Sequence, residues 1–127
     1  MHTLPLQIRF NDVDAMGHIN NAVILEYFDL GKASFLASHG LNAETGDFTV
    51  MVVHVDIDFT CQIQMHDDIS VSTQIDHIGN KSLHLIQQVS KADGTVCATC
   101  KTVMSGYRRS TKSSAVIPDQ VRAALSD

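Results

Sequence analysis

Asn20-Asn21-Ala22-Val23-Ile24-Leu25-Glu26-Tyr27-Phe28-Asp29-Leu30-Gly31-Lys32-Ala33-Ser34-Phe35-Leu36-Ala37-Ser38 reads as a helix that is apolar nearly all the way round. Asn20 suits the N-cap, and His39-Gly40 suits the stop. Charge falls only on Glu26, Asp29 and Lys32, spaced i, i+3, i+6 in one narrow stripe. Such a helix is expected to be buried on several sides. At about 1.5 Å per residue it is roughly 27 Å long, enough to run through the middle of a small domain.

The flanking segments read as strands. Leu4, Leu6, Ile8 and Phe10 alternate with Pro5, Gln7 and Arg9, which predicts a half-buried strand from Leu4 to Phe10. Past a polar loop (Asn42 to Asp47), Val53, Val55, Ile57 and Phe59 alternate with His54, Asp56, Asp58 and Thr60. Ile69 to Asp76 and Ser82 to Val89 alternate in the same way, and Thr95 to Tyr107 is a last long strand. Gly79-Asn80 and Asp93-Gly94 supply the turns. Pro118 opens a short terminal helix. One helix followed by a run of strands means α+β with an antiparallel sheet. A lone apolar helix needs that sheet curved around it, so about five strands wrapped on one central helix are expected, in one domain over residues 1–127.

With 44% apolar and 18% charged residues, the 127-residue chain has the makings of a packed core. A net charge of −5 argues against nucleic acid, since phosphate contacts need clustered Lys and Arg. The one basic cluster is Arg108, Arg109 and Lys112. No apolar run is long enough to span a bilayer, and the N-terminus lacks a secretory pattern, so a cytoplasmic protein without membrane insertion is expected. Cys61, Cys97 and Cys100 are too few for a disulfide scaffold. Cys97 and Cys100, three apart in a strand, are expected on opposite faces as ordinary thiols. The remaining histidines lack metal-ligand spacing, so no metal is expected.

Chemistry concentrates just before the helix, in Arg9-Phe10-Asn11-Asp12-Val13-Asp14-Ala15-Met16-Gly17-His18-Ile19-Asn20-Asn21. Asp12 and Asp14 suit turn formation. They also stand beside a helix N-terminus, where free N–H groups favour an anion and can stabilise an oxyanion. Gly17 permits close backbone approach to a ligand. An ordinary aspartate is ionised at neutral pH, and Asp14 is the candidate base or nucleophile. His18 suits a strut or substrate contact, and Asn20 and Asn21 suit capping and positioning.

This stretch resembles the R-F-x-D-x-D-x-x-G-H-x-N-N signature of hotdog-fold acyl-CoA thioesterases of the 4-hydroxybenzoyl-CoA thioesterase type. The likeness continues loosely through Val53 to Phe59, Asp67-Asp68-Ile69, Gly79-Asn80-Lys81-Ser82 and Ile117-Pro118. The resemblance implies a catalytic carboxylate at Asp14 and an oxyanion donor near Asn21. It also implies a dimer whose active sites draw on both subunits, with the CoA arm at the surface between them. Ala22, Val23, Gln62 and Gly106-Tyr107 depart from the family pattern at places that bear on acyl preference and CoA contacts.

Hydrolysis of an acyl-CoA or acyl-carrier thioester is therefore expected, with no cofactor beyond the CoA of the substrate. Asp14, Asn21, Gly17 and His18 form the expected catalytic group. Ile24, Tyr27, Val53, His54, Val55 and Thr60 are expected around the acyl group or a partner subunit. Lys81, Ser82, Arg108 and Arg109 are expected on the CoA phosphates. Two competing readings are a hydratase or dehydratase of the same fold and a non-catalytic acyl-CoA-binding dimer. Long strand edges need cover, which favours self-association as dimer or tetramer.

Overall fold

The computed structural model describes residues 1–41 and 46–126. The order is β1 (His2–Leu6), a single 3-10 turn (Phe10–Asp12), α1 (Asn21–Ser38), β2 (Phe48–Phe59), β3 (Ile69–Ile78), β4 (Ser82–Lys91), β5 (Val96–Arg108), β6 (Ser113–Ser114) and α2 (Asp119–Leu125). The polar loop expected from Asn42 to Asp47 lies partly outside the described residues. One antiparallel sheet runs β1-β3-β4-β5-β2, with two-residue β6 added beside the end of β5. The expected five strands thus gain a sixth, short one.

Helix α1 begins where Asn20 Oδ1 accepts the Ala22 N–H at 2.8 Å. It lies on β1, β3 and β4. Gly31 lets it press close: a Cβ there would stand 2.9 Å from both Val71 methyls and from Gln87 Nε2. Gln87 uses that approach, donating from Nε2 to Phe28 O and Thr73 Oγ1, both at 2.9 Å. Ile24, Tyr27, Phe28, Gly31, Lys32 and Phe35 are buried at the spacing of one helix face.

The expectation that α1 is enclosed on several sides is corrected. Among the described residues only the sheet-facing side is covered; Ala22, Leu25, Glu26, Asp29, Leu30, Ala33 and Ala37 form an exposed stripe. The charged stripe is also divided. Lys32 is only 4% exposed, its ammonium 3.4 Å from Thr102 Oγ1 and 3.3 Å from Asp29 Oδ1. Its aliphatic stem packs in the core while its charge is shared between the buried Thr102 hydroxyl and the exposed Asp29 carboxylate.

The first strand ends earlier than alternation suggests, and Phe10 is 86% exposed. The reason is Asp12, whose carboxylate accepts from Arg9 N at 2.9 Å and whose N–H donates to Arg9 O at 2.9 Å, curling the chain into a turn. On β2 a bulge between Val52 and His54 interrupts the alternation. Val53 is the extra residue and stands 63% exposed on the free edge, while Val55, Ile57 and Phe59 pair with Thr102, Cys100 and Ala98 of the buried face. Cys97 and Cys100 are both buried in one core cluster, contrary to the opposite faces expected. The register slips where Val89 pairs with Ala98 but Ser90 pairs with Val96, so Cys97 is an extra residue and parity fails.

Candidate functional site

Asp14 closes a tight loop upon itself. Its N–H donates to His18 O at 2.8 Å, and its carbonyl accepts from Gly17 N at 3.1 Å. Its Oδ1 accepts from Met16 N at 2.9 Å and His18 N at 3.1 Å. Gly17 sits at φ +80°, the left-handed region that favours glycine, and this reversal aims both N–H groups at the carboxylate. Oδ2 takes no hydrogen bond among the described residues, and Asp14 is exposed.

The loop is anchored from below by Asp12, which is 1% exposed. Asp12 accepts from Tyr27 Oη at 2.6 Å, Arg9 Nη2 at 3.0 Å and Arg9 Nε at 3.2 Å, besides Arg9 N. Burial pushes this carboxyl up, but the hydrogen bonds from Tyr27 and Arg9 outweigh it and hold it below the usual carboxylate range. The Asp12 carbonyl also accepts from Asn20 N at 3.1 Å, fixing the loop to the start of α1.

Asp14, His18, Ile19, Asn21 and Ile24 form one wall of a cleft of about 410 Å³, and Phe59, Thr60, Cys61, Gln62 and Ile63 form the other. The walls are joined by Ile19 N donating to Ile63 O at 2.8 Å and by a bridge between His18 and Gln64. Val23 and Ile24 donate to the Asn20 carbonyl and Ala22 to its side chain. The Asn21 N–H finds no acceptor among the described residues, and it sits at the positive end of α1 beside the cleft. A carboxylate oxygen and an unspent N–H thus border one cleft.

Asp14, His18, Asn21, Ile24 and Thr60 come together as sequence candidates. Gly17 shapes the loop without lining the cleft. Tyr27 is buried toward a different cavity, between β1 and the outer side of α1, with its hydroxyl committed to Asp12. His54 borders a small hollow on the opposite sheet face with Asp56, His84 and Lys101. Val53 stands on the strand edge, and Val55 lies half-buried on the helix-facing side of β2.

Lys81, Ser82, Arg108 and Arg109 share the other end of the sheet: Lys81 O accepts from Gly106 N at 2.7 Å, and Ser82 pairs with Ser105. Arg108 meets Asp47 at 3.3 Å, and Arg109 donates to Gly46 O at 3.1 Å. Phe59 pairs with Ala98 and Phe48 with Arg108, so about ten residues of strand, roughly 33 Å, separate these cations from the cleft of the same chain. Ile19, Phe59, Cys61 and Ile63 line the cleft although none is a site candidate from sequence, and Gln62 stood out there only as a departure from the family pattern. The pairing of residues 18 and 19 with 63 and 64 joins the two walls.

Three solved structures share this architecture. The protein SAV2348 of Staphylococcus aureus, in complex with CoA, matches with TM-score 0.91 and 23% identity over 98% of this chain and 80% of its own. A thioesterase of Thermus thermophilus, complexed with coenzyme A and Zn, matches with TM-score 0.84 and 25% identity over 97% and 90%. Slr0204, a 1,4-dihydroxy-2-naphthoyl-CoA thioesterase of Synechocystis, matches with TM-score 0.87 and 22% identity over 98% and 95%. The family description of the thioesterase-like superfamily matches residues 8–125. By that match over nearly its whole length, together with one long helix seated on a curved antiparallel sheet, the chain belongs to the thioesterase-like superfamily with the hotdog fold.

Proposed function

We propose that this chain hydrolyses acyl-CoA thioesters, with Asp14 as nucleophile or general base and the Asn21 N–H as oxyanion donor. The observation that carries the reading is that the free Asp14 Oδ2 and the unspent Asn21 N–H border the same cleft. A thioester carbonyl directed at the helix N-terminus gains charge stabilisation as its oxygen becomes an oxyanion. Oδ2 then attacks the carbonyl carbon, or takes a proton from an attacking water. Either route expels the thiolate; direct attack leaves an acyl–Asp14 anhydride that water then hydrolyses to the free acid and the aspartate, and the held Oδ1 keeps the reacting oxygen in place. Two of the matched structures carry CoA, which supports a CoA thioester as the substrate class.

The reading extends to a homodimer formed through β2. That strand is a twelve-residue free edge carrying exposed Met51, Val52 and Val53. Long apolar edges call for pairing. Antiparallel pairing of two β2 edges about a two-fold axis sets the Arg108 end of one copy against the Phe59 end of the other. The cations that are remote within one chain then stand beside the partner's cleft, where CoA phosphates need them. Ile57 and Val55 continue inward from Phe59 on the same strand face, and an acyl group extends along them.

The test is thiol release from acyl-CoAs of short, long, branched and aromatic type by wild type and Asp14→Asn. The variant is expected to fold normally and to lose about 10²–10⁴-fold in turnover. Turnover close to wild type in a folded Asp14→Asn protein overturns the role of Asp14. A product that retains CoA overturns hydrolysis.

A further inference from the structure

Two irregularities in the sheet meet beside the cleft. Thr60 N and Cys61 N both donate to Cys97 O, at 2.8 and 3.1 Å. Two successive N–H groups on one carbonyl is the arrangement of a β-bulge, with two residues opposing one. Cys97 is itself the extra residue where β5 slips against β4. The slips turn both thiols inward. Cys97 is buried, Cys61 is half-buried, and both pack in the same apolar cluster. Burial pushes the Cys97 thiol up to about 11, and its interaction with the Cys61 thiol adds to this. Lys91 pairs with Asp67 at 3.3 Å, and the two opposite charges act on Cys97 in opposite directions. Cross-strand neighbours lie about 4.5–5.5 Å apart at Cα, inside the span a disulfide bridges.

The two thiols differ in access. Cys61 lines the cleft, whereas Cys97 lies behind it. Cys100 lies in the same cluster, three residues further along β5, with its Sγ 3.3 Å from Thr102 Oγ1.

We propose that Cys61 and Cys97 form a redox-active dithiol, oxidised by small disulfides that enter the cleft, with Cys61 as the entry thiol and Cys97 as the resolving thiol. In the first step Cys61 Sγ, as thiolate, attacks one sulfur of RS–SR. The S–S bond breaks, and the departing RS⁻ takes up a proton equivalent to the one Cys61 lost. In the second step Cys97 gives up its proton and attacks the Cys61 sulfur, and the second R group leaves as RSH. Two protein thiols are oxidised and one RSSR is reduced to two RSH. The order follows from access and from the thiolate requirement: the reachable thiol reacts first, and the buried one acts only within the mixed disulfide. The new bond pins residues 61–63, and Ile63 O holds Ile19 in the Asp14 wall, so oxidation stiffens both sides of the cleft.

The test uses the reduced full chain and oxidised glutathione, read by intact mass and by peptide mapping without reductant. Wild type is expected to lose two hydrogens, retain no glutathione and yield a Cys61–Cys97 linked peptide that dithiothreitol removes. Cys97→Ala is expected to keep one glutathione on Cys61, and Cys61→Ser is expected to stay unmodified. Retention of glutathione by wild type, a link through Cys100, or an unreacted Cys61 overturns the proposal. The wild-type map decides the linkage even if a variant folds poorly.

Discussion

Tyr27→Phe isolates the anchor beneath the Asp14 loop. The substitution deletes one hydroxyl that donates at 2.6 Å to an Asp12 carboxylate only 1% exposed. A hydrogen bond to a charged group is worth about 1.5–3 kcal/mol. Asp12 keeps three donors from Arg9, so the lower half of that range applies, about 2 kcal/mol. With an unfolding entropy of about 2.1 cal/mol/K per residue, 127 residues give about 0.27 kcal/mol/K and a Tm lowered by about 7 °C. The effect also has a pH signature. Asp12 is held below its unfolded value, so its contribution is complete above a pH of about 3.9 and lost as pH falls through the lower native value. Removing the hydroxyl raises the native value, so the variant's acid loss starts at the same unfolded value but is smaller and is complete at higher pH than in wild type. The assay is thermal unfolding from pH 7 to pH 3 at fixed protomer concentration, with Asp12→Asn and the double variant completing a cycle. A Tm shift under about 2 °C with an unchanged acid limb refutes the reasoning.

Other perturbations address other contacts. Gly31→Ala places a methyl 2.9 Å from Val71 and Gln87, and is expected to destabilise by about 1–3 kcal/mol in urea melts despite better helix propensity. Arg108→Ala combined with Arg109→Ala is expected to raise KM for acyl-CoA while leaving KM for the matching acyl-pantetheine unchanged; an equal rise for both removes these residues from the CoA phosphates. Val53→Lys puts a charge on the free edge of β2 and is expected to yield monomer in analytical ultracentrifugation, with activity falling in step. A stable dimer in that variant counts against pairing through this edge.

Local chemistry was enough for the outline. The α1 boundaries, the capping Asn20, the turns at Gly79-Asn80 and Asp93-Gly94 and the Pro118 helix start all follow from residues a few positions apart. The Asp14 loop was legible too, because its hydrogen bonds join residues 14 to 18. Alternation misled at two bulges. Val53 and Cys97 are extra residues whose facing depends on a neighbouring strand, and period-two counting has no means of seeing a register slip.

Non-local pairing determined the remainder. The second cleft wall, Phe59 to Ile63, is distant in the chain from Asp14, and it arrives through one backbone hydrogen bond and one bridge. The burial of Lys32 and the commitment of Tyr27 to Asp12 rest on where α1 settles on the sheet. Periodicity specifies a side chain's direction relative to its own element. Which element it then meets is set by the packing of whole surfaces, and that information is spread over the chain rather than held in any one segment.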